Sequence, residues 1–130
     1  MKKLLTLLTF VFFTTIAFSQ NVTHLRAFEL NYGFRANSES PISWVDETKP
    51  VDILISVERT KITIYSKETQ VYRMINPVET NNDRMAKFYC SNNNGINCNV
   101  MMFTQKESPN VIFLAVEFND MVWYYSTKVE

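Results

Sequence analysis

Residues 88–100 read Phe-Tyr-Cys-Ser-Asn-Asn-Asn-Gly-Ile-Asn-Cys-Asn-Val, and the fold class follows from how that stretch pairs with itself. Asn92-Asn93-Asn94-Gly95 is a turn signal, because Asn and Gly tolerate the positive φ that tight hairpin turns demand. Ala86, Phe88 and Cys90 share one face before the turn; Ile96, Cys98, Val100 and Met102 share one face after it. A three-residue loop at 93–95, with Gly95 left-handed, sets residue 92 opposite 96 and Cys90 opposite Cys98. A loop one residue shorter or longer sends the cysteines to opposite faces. Turn chemistry, alternation and cysteine spacing agree on one antiparallel register.

The same pattern extends in both directions. In 51–57, Val51, Ile53, Ile55 and Val57 alternate with Asp52 and Ser56, which is the period of a half-buried strand. A two-residue turn at Arg59-Thr60 puts Val57 opposite Ile62, Ile55 opposite Ile64 and Glu58 opposite Lys61. A turn at Asn119-Asp120 pairs Phe118 with Met121, Val116 with Trp123 and Leu114 with Tyr125. That last hairpin is apolar on its second face too, through Phe113, Ala115, Val122 and Tyr124. Such a face is either covered by other chain or exposed as an aromatic patch, and coverage is the preferred expectation.

Strands are expected at 23–34, 51–57, 61–66, 70–76, 85–91, 96–104, 110–118 and 121–128. In the first, Phe28, Leu30, Tyr32 and Phe34 are expected on one face. Consecutive short hairpins imply an all-β fold, a single antiparallel meander of about eight strands in an up-and-down barrel or curled sheet. A β-sandwich is the alternative. The stretch from Phe34 to Pro50 reads as a surface loop, with Trp44 as a plug capping the core; Pro77 to Asp83 reads as a second polar loop.

The first nineteen residues carry an address rather than a fold. Lys2 and Lys3 form a positive start, residues 4–18 an apolar run, and Ala17-Phe18-Ser19 a small-x-small cleavage site. The run of 15 residues is shorter than the roughly 17–25 of a membrane-spanning helix. The expectation is a signal peptide at 1–19 cleaved after Ser19, and a periplasmic or extracellular β domain at 20–130 with no transmembrane segment. Without Lys2 and Lys3, 11 basic residues face 13 acidic ones, so the mature net charge is −2. The charges are dispersed, which argues against nucleic acid as a partner.

Two cysteines in an exported chain read first as a disulfide between Cys90 and Cys98, worth about 2–3 kcal/mol by loop closure. The competing reading is a pair of small buried thiols. His24 is the only histidine and reads as a solvated residue near the mature N-terminus. Metal-ligand spacing and a phosphate-cradling glycine loop are both missing, so neither metal nor cofactor is expected. Asp46, Glu47, Asp52, Glu58, Asp83, Glu107, Glu117 and Asp120 are available for paired-carboxylate hydrolysis, but they read as an ordinary charged surface, with Glu117 facing outward beside Val122.

Several pieces occur in an order that resembles a loose group of small uncharacterised secreted bacterial β proteins. They are a tryptophan at Trp44, the strand from Val51 to Val57, "KITIYSKETQVY" (Lys61 to Tyr72), "FYC" (Phe88 to Cys90), "NNGINCNV" (Asn93 to Val100) and "FNDMVWYYS" (Phe118 to Ser126). The resemblance implies export and a compact β domain, and no activity. The functional expectation is an exported non-enzymatic binding or interaction module for an extracellular protein or glycan. Its contacts are aromatic side chains beyond the needs of the core: Trp44, Phe113 and Tyr124, with Tyr65 and Tyr72 outlying. A small carboxylate-dependent hydrolase is the alternative.

Overall fold

Gly95 sits at φ 76°, the left-handed conformation, as the Asn-rich turn requires. Around it the Asn92 N–H donates to the Ile96 carbonyl at 2.9 Å, and the Gly95 N–H to the Asn92 carbonyl at 3.0 Å. Cys90 therefore pairs with Cys98 and Phe88 with Val100, the expected register. The computed structural model describes residues 22–130 apart from Asp46, so the expected signal peptide at 1–19 and its cleavage after Ser19 lie outside the described residues.

The strands in chain order are β1 (Thr23–Phe34), β2 (Ser43–Trp44), β3 (Lys49–Val57), β4 (Lys61–Ile64), β5 (Gln70–Val78), β6 (Met85–Ser91), β7 (Asn97–Gln105), β8 (Ser108–Glu117) and β9 (Met121–Val129). No helix occurs among the described residues. From β3 to β9 each strand pairs with the next, all antiparallel. β1 joins both ends of this meander, pairing with β3 on one edge and with β9 on the other. The result is a closed eight-stranded up-and-down barrel with β2 as a short extra strand on β1, and a continuous ladder of this kind replaces the sandwich alternative.

Hairpin registers follow the apolar alternation. Val57 faces Ile62 and Ile55 faces Ile64, the Glu58 N–H closes the turn on the Lys61 carbonyl at 2.9 Å, and the two side chains approach to 3.9 Å. Val116 faces Trp123 and Leu114 faces Tyr125. The interior is filled by Leu25, Ile55, Ile62, Val100, Leu114 and Val116, all essentially inaccessible to water. Thr127, also fully buried, donates its hydroxyl to the Ile112 carbonyl at 2.7 Å, which satisfies the polar group inside the barrel.

The structure corrects several sequence expectations. The register of β1 shifts between Ala27 and Glu29 against both neighbours, a bulge at Phe28. An inserted residue switches parity, so Leu25 and Ala27 face inward before it while Leu30 and Tyr32 do so after it. Phe28 leaves the face it was expected to share and lies under the Lys128 amino group, 5.4 Å from the ring centre. Within the expected loop from Phe34 to Pro50, Ser43–Trp44 forms β2 against Gly33 and Phe34, and β3 starts at Lys49. Trp44 is 42% exposed, so it is not a plug of the core. β5 continues through Pro77 and Val78, pairing with Phe88 and Lys87 past a second bulge.

The disulfide is a further correction. Cys90 and Cys98 oppose each other on the inward face as the register demands, yet both are free, buried thiols. Burial pushes the Cys90 thiol up to about 11 and, with Cys90 beside it, Cys98 up to about 12. Thiols held so far from ionisation are poor nucleophiles for disulfide exchange, and they behave here as small apolar packing groups.

Candidate functional site

In a meander barrel alternate turns share an end. The connections after β4, β6 and β8 therefore gather at the end where β1 finishes, and they surround an open cup of about 560 Å³. Its wall and floor are Leu30, Ile53, Tyr72, Phe118, Trp123 and Tyr125. Its rim is residues 66–70 from the β4–β5 connection and 92–94 from the Asn-rich turn. A cavity of this size is in the usual range for small-molecule sites, roughly 300–1,000 Å³.

The lining is braced largely by contacts among its own residues. Tyr32 leans on Trp123, ring centres 5.2 Å apart, and Phe118 on Tyr72 at 6.4 Å. The Tyr72 hydroxyl donates to Gln70 Oε1, Gln70 Nε2 donates to Ser66 Oγ at 3.0 Å, and the Ser66 hydroxyl donates to the Glu68 carbonyl at 2.8 Å. The Val71 N–H donates to Asn93 Oδ1 at 2.7 Å, which ties the Asn-rich turn to β5 across the rim. Burial raises both phenols well above the ordinary tyrosine value, Tyr125 to about 12. Both are neutral hydrogen-bonding groups at physiological pH. Lys67 and Glu68 are the only charged side chains among the described residues lining the cup, adjacent, exposed and of opposite sign.

The expected binding residues divide between two places. Tyr72 lies in the cup, on its floor. Tyr65 is exposed at the same end, one residue before the rim, with its N–H donated to the Leu54 carbonyl at 2.9 Å. Trp44, Phe113 and Tyr124 come together instead on the outer wall. Trp44 meets Tyr124 edge-on at 5.8 Å, Tyr124 meets Phe113 at 5.5 Å, and Phe103 stacks on Phe113 at 5.4 Å. Beside this ridge Ala115 and Val122 are buried, so the second face of the last hairpin is part covered and part exposed.

Coverage comes from the segment after β1. The Cβ that Gly33 lacks would stand 2.5 Å from Ile42 Cγ2 and 3.1 Å from Trp44 Cε3, so bare backbone lets that segment lie flat on β1. Ser38 N–H to Asn119 Oδ1 at 3.1 Å, and Arg35 N–H to the Asp120 carbonyl at 3.0 Å, anchor it to the last turn.

Gln70, Asn93, Phe118, Trp123 and Tyr125 line the cup although no local sequence pattern marks them as site residues. The available signal was topological, since counting turns in a meander places residues 66–69, 92–95 and 119–120 at one end. The other candidates stay apart: His24 is exposed on β1, and Glu117 faces outward, paired with Val122. No protein family, curated protein or solved structure matches this chain.

Proposed function

We propose that this chain is a small exported, non-enzymatic binding module that holds a small molecule in the mouth of its barrel. Export rests on the order of Lys2, Lys3, the apolar run 4–18 and the Ala17-Phe18-Ser19 site. The observation that carries binding is the cup of about 560 Å³, with an aromatic floor and a polar rim whose side chains are fixed by hydrogen bonds. Apolar walls with a few placed polar groups are the general form of a ligand pocket, and preorganised side chains lower the entropy cost of binding.

The test is an amide NMR titration of the mature domain with a fragment library. Perturbations are expected at residues 66–70, 92–94 and 118–125, and a library with no hit there refutes the reading. A second reading, an interaction surface for an extracellular protein, is supported by the exposed Trp44 continuous with Tyr124, Phe113 and Phe103. It predicts perturbations along that ridge instead. Paired-carboxylate hydrolysis has less support, because Glu68 is the one carboxylate lining the cup among the described residues and such chemistry needs two.

A further inference from the structure

Two of the rim asparagines have their amide oxygens already engaged. Asn93 Oδ1 accepts the Val71 N–H at 2.7 Å, and Asn92 Oδ1 accepts both the Asn94 and the Ile96 N–H at 2.9 Å. These bonds fix the orientation of both side chains and leave their NH2 groups as the donors they can offer. Below them Gln70 and Ser66 are locked into the chain that starts at the Tyr72 hydroxyl. The Asn92 and Asn93 amides thus give the polar side of the cup oriented N–H donors. Its opposite side is the Trp123 ring, braced by Tyr32, together with Phe118 and Ile53.

We infer that the occupant is a neutral sugar ring, lying with its C–H face on Trp123 and its hydroxyl and ring oxygens against the amides of Asn92 and Asn93. This rests on the cup being a binding site and deepens that reading. A sugar carries the complement of what the cup presents: a patch of C–H groups on one face and a rim of acceptor oxygens. Charge points the same way. An ionic ligand entering the cup loses hydration and meets no buried counter-charge, since Lys67 and Glu68 are exposed and cancel. A long alkyl chain has no room beyond the cup, because Ile62, Val100, Leu114 and Val116 fill the interior and are fully buried. Tyr72 and Tyr125 stay protonated across the physiological range, so the floor adds no charge.

The experiment uses the mature domain carrying Trp44→Phe, which leaves Trp123 as the sole tryptophan reporter. Fluorescence is followed on titration with glucose, galactose, mannose and N-acetylglucosamine, each free and as a β-linked disaccharide, with glucuronate and a long-chain fatty acid as parallel arms. Saturable binding of a neutral sugar is expected. Asn93→Asp keeps the oxygen that accepts the Val71 N–H but removes the donor, and weakens binding about tenfold. Asn92→Asp does the same independently, with circular dichroism unchanged in both. Glucuronate or fatty acid binding without neutral sugar binding overturns the sugar assignment and leaves the cup a binding site. Sugar binding unaffected by both substitutions overturns the donor geometry. No binding in any arm, with a fragment screen that also misses the cup, overturns both readings.

Discussion

Raising the pH should destabilise this barrel from within, through its two thiols. Cys90 and Cys98 are 0% and 3% exposed, and burial lifts them from an ordinary 9.0 to about 11 and about 12. The unfolded chain ionises both near 9, while the fold holds both neutral. Above pH 9 the unfolded state therefore binds fewer protons than the native one, and stability falls as pH rises. The contribution is complete below 9 and lost through the folded values. At about pH 10 an unfolded thiol titrating at 9 gains about 1.4 kcal/mol, so the pair removes about 2.8 kcal/mol. That is a sizeable part of the roughly 5–15 kcal/mol of a typical domain. Tyr72 and Tyr125, with ordinary values of 10.0 and raised in the fold, add about 0.4 kcal/mol each at about pH 10. Urea unfolding under reductant at about pH 8 and about pH 10 measures the loss. The wild type is expected to lose about 3–4 kcal/mol and the double variant C90A/C98A about 1. Equal losses in both proteins refute the assignment to the thiols.

Three further outcomes test the packing. Gly33→Ala must push Ile42 and the Ser43 carbonyl off β1, costing about 1–3 kcal/mol and speeding amide exchange at Val45, whose N–H donates to the Tyr32 carbonyl; unchanged exchange contradicts the close approach. Gly95→Ala meets no atom within 4 Å, so its cost is backbone conformation alone, about 1–2 kcal/mol by denaturant midpoint; a neutral substitution means the turn is not left-handed. Leu114→Ala in the sealed interior should cost about 2–5 kcal/mol, and Trp44→Ala on the ridge under about 1.5. Equal costs make Trp44 a core residue.

The hairpins were legible because short-range chemistry fixes them. Asn92 to Gly95 sets the pairing of Cys90 with Cys98, and Arg59-Thr60 and Asn119-Asp120 do the same for their neighbours. The bulge at Phe28 was not, since an inserted residue leaves no mark on composition, and strict alternation across it puts Phe28 on the face of Leu30 and Tyr32. Ser43–Trp44 escaped notice because two residues carry no period and Gly33 admits them by what it lacks. The thiols were placed but not their chemistry, which depends on how deeply the closed barrel buries them. The cup was invisible for a different reason. Gln70, Asn93 and the Phe118–Trp123 pair come from three separate hairpins, and closure of the barrel makes them neighbours.

The seam between β1 and β9 also bears on when the fold can exist at all. Arg26 on β1 holds Glu130 through two 2.8 Å bonds across 104 residues of chain, and Leu25 to Phe34 pair with Val129 to Met121 alongside. Every other strand pair from β3 onward can form as a local hairpin as soon as its two strands are made. The seam must wait for the ninth, and loop-closure entropy makes so distant a pairing the slow step of folding. Until it forms, β1 and β9 present unpaired edges that other chains can join. A chain one strand short is therefore an open, sticky sheet, and the nine residues of β9 decide whether it becomes a closed barrel or an aggregate.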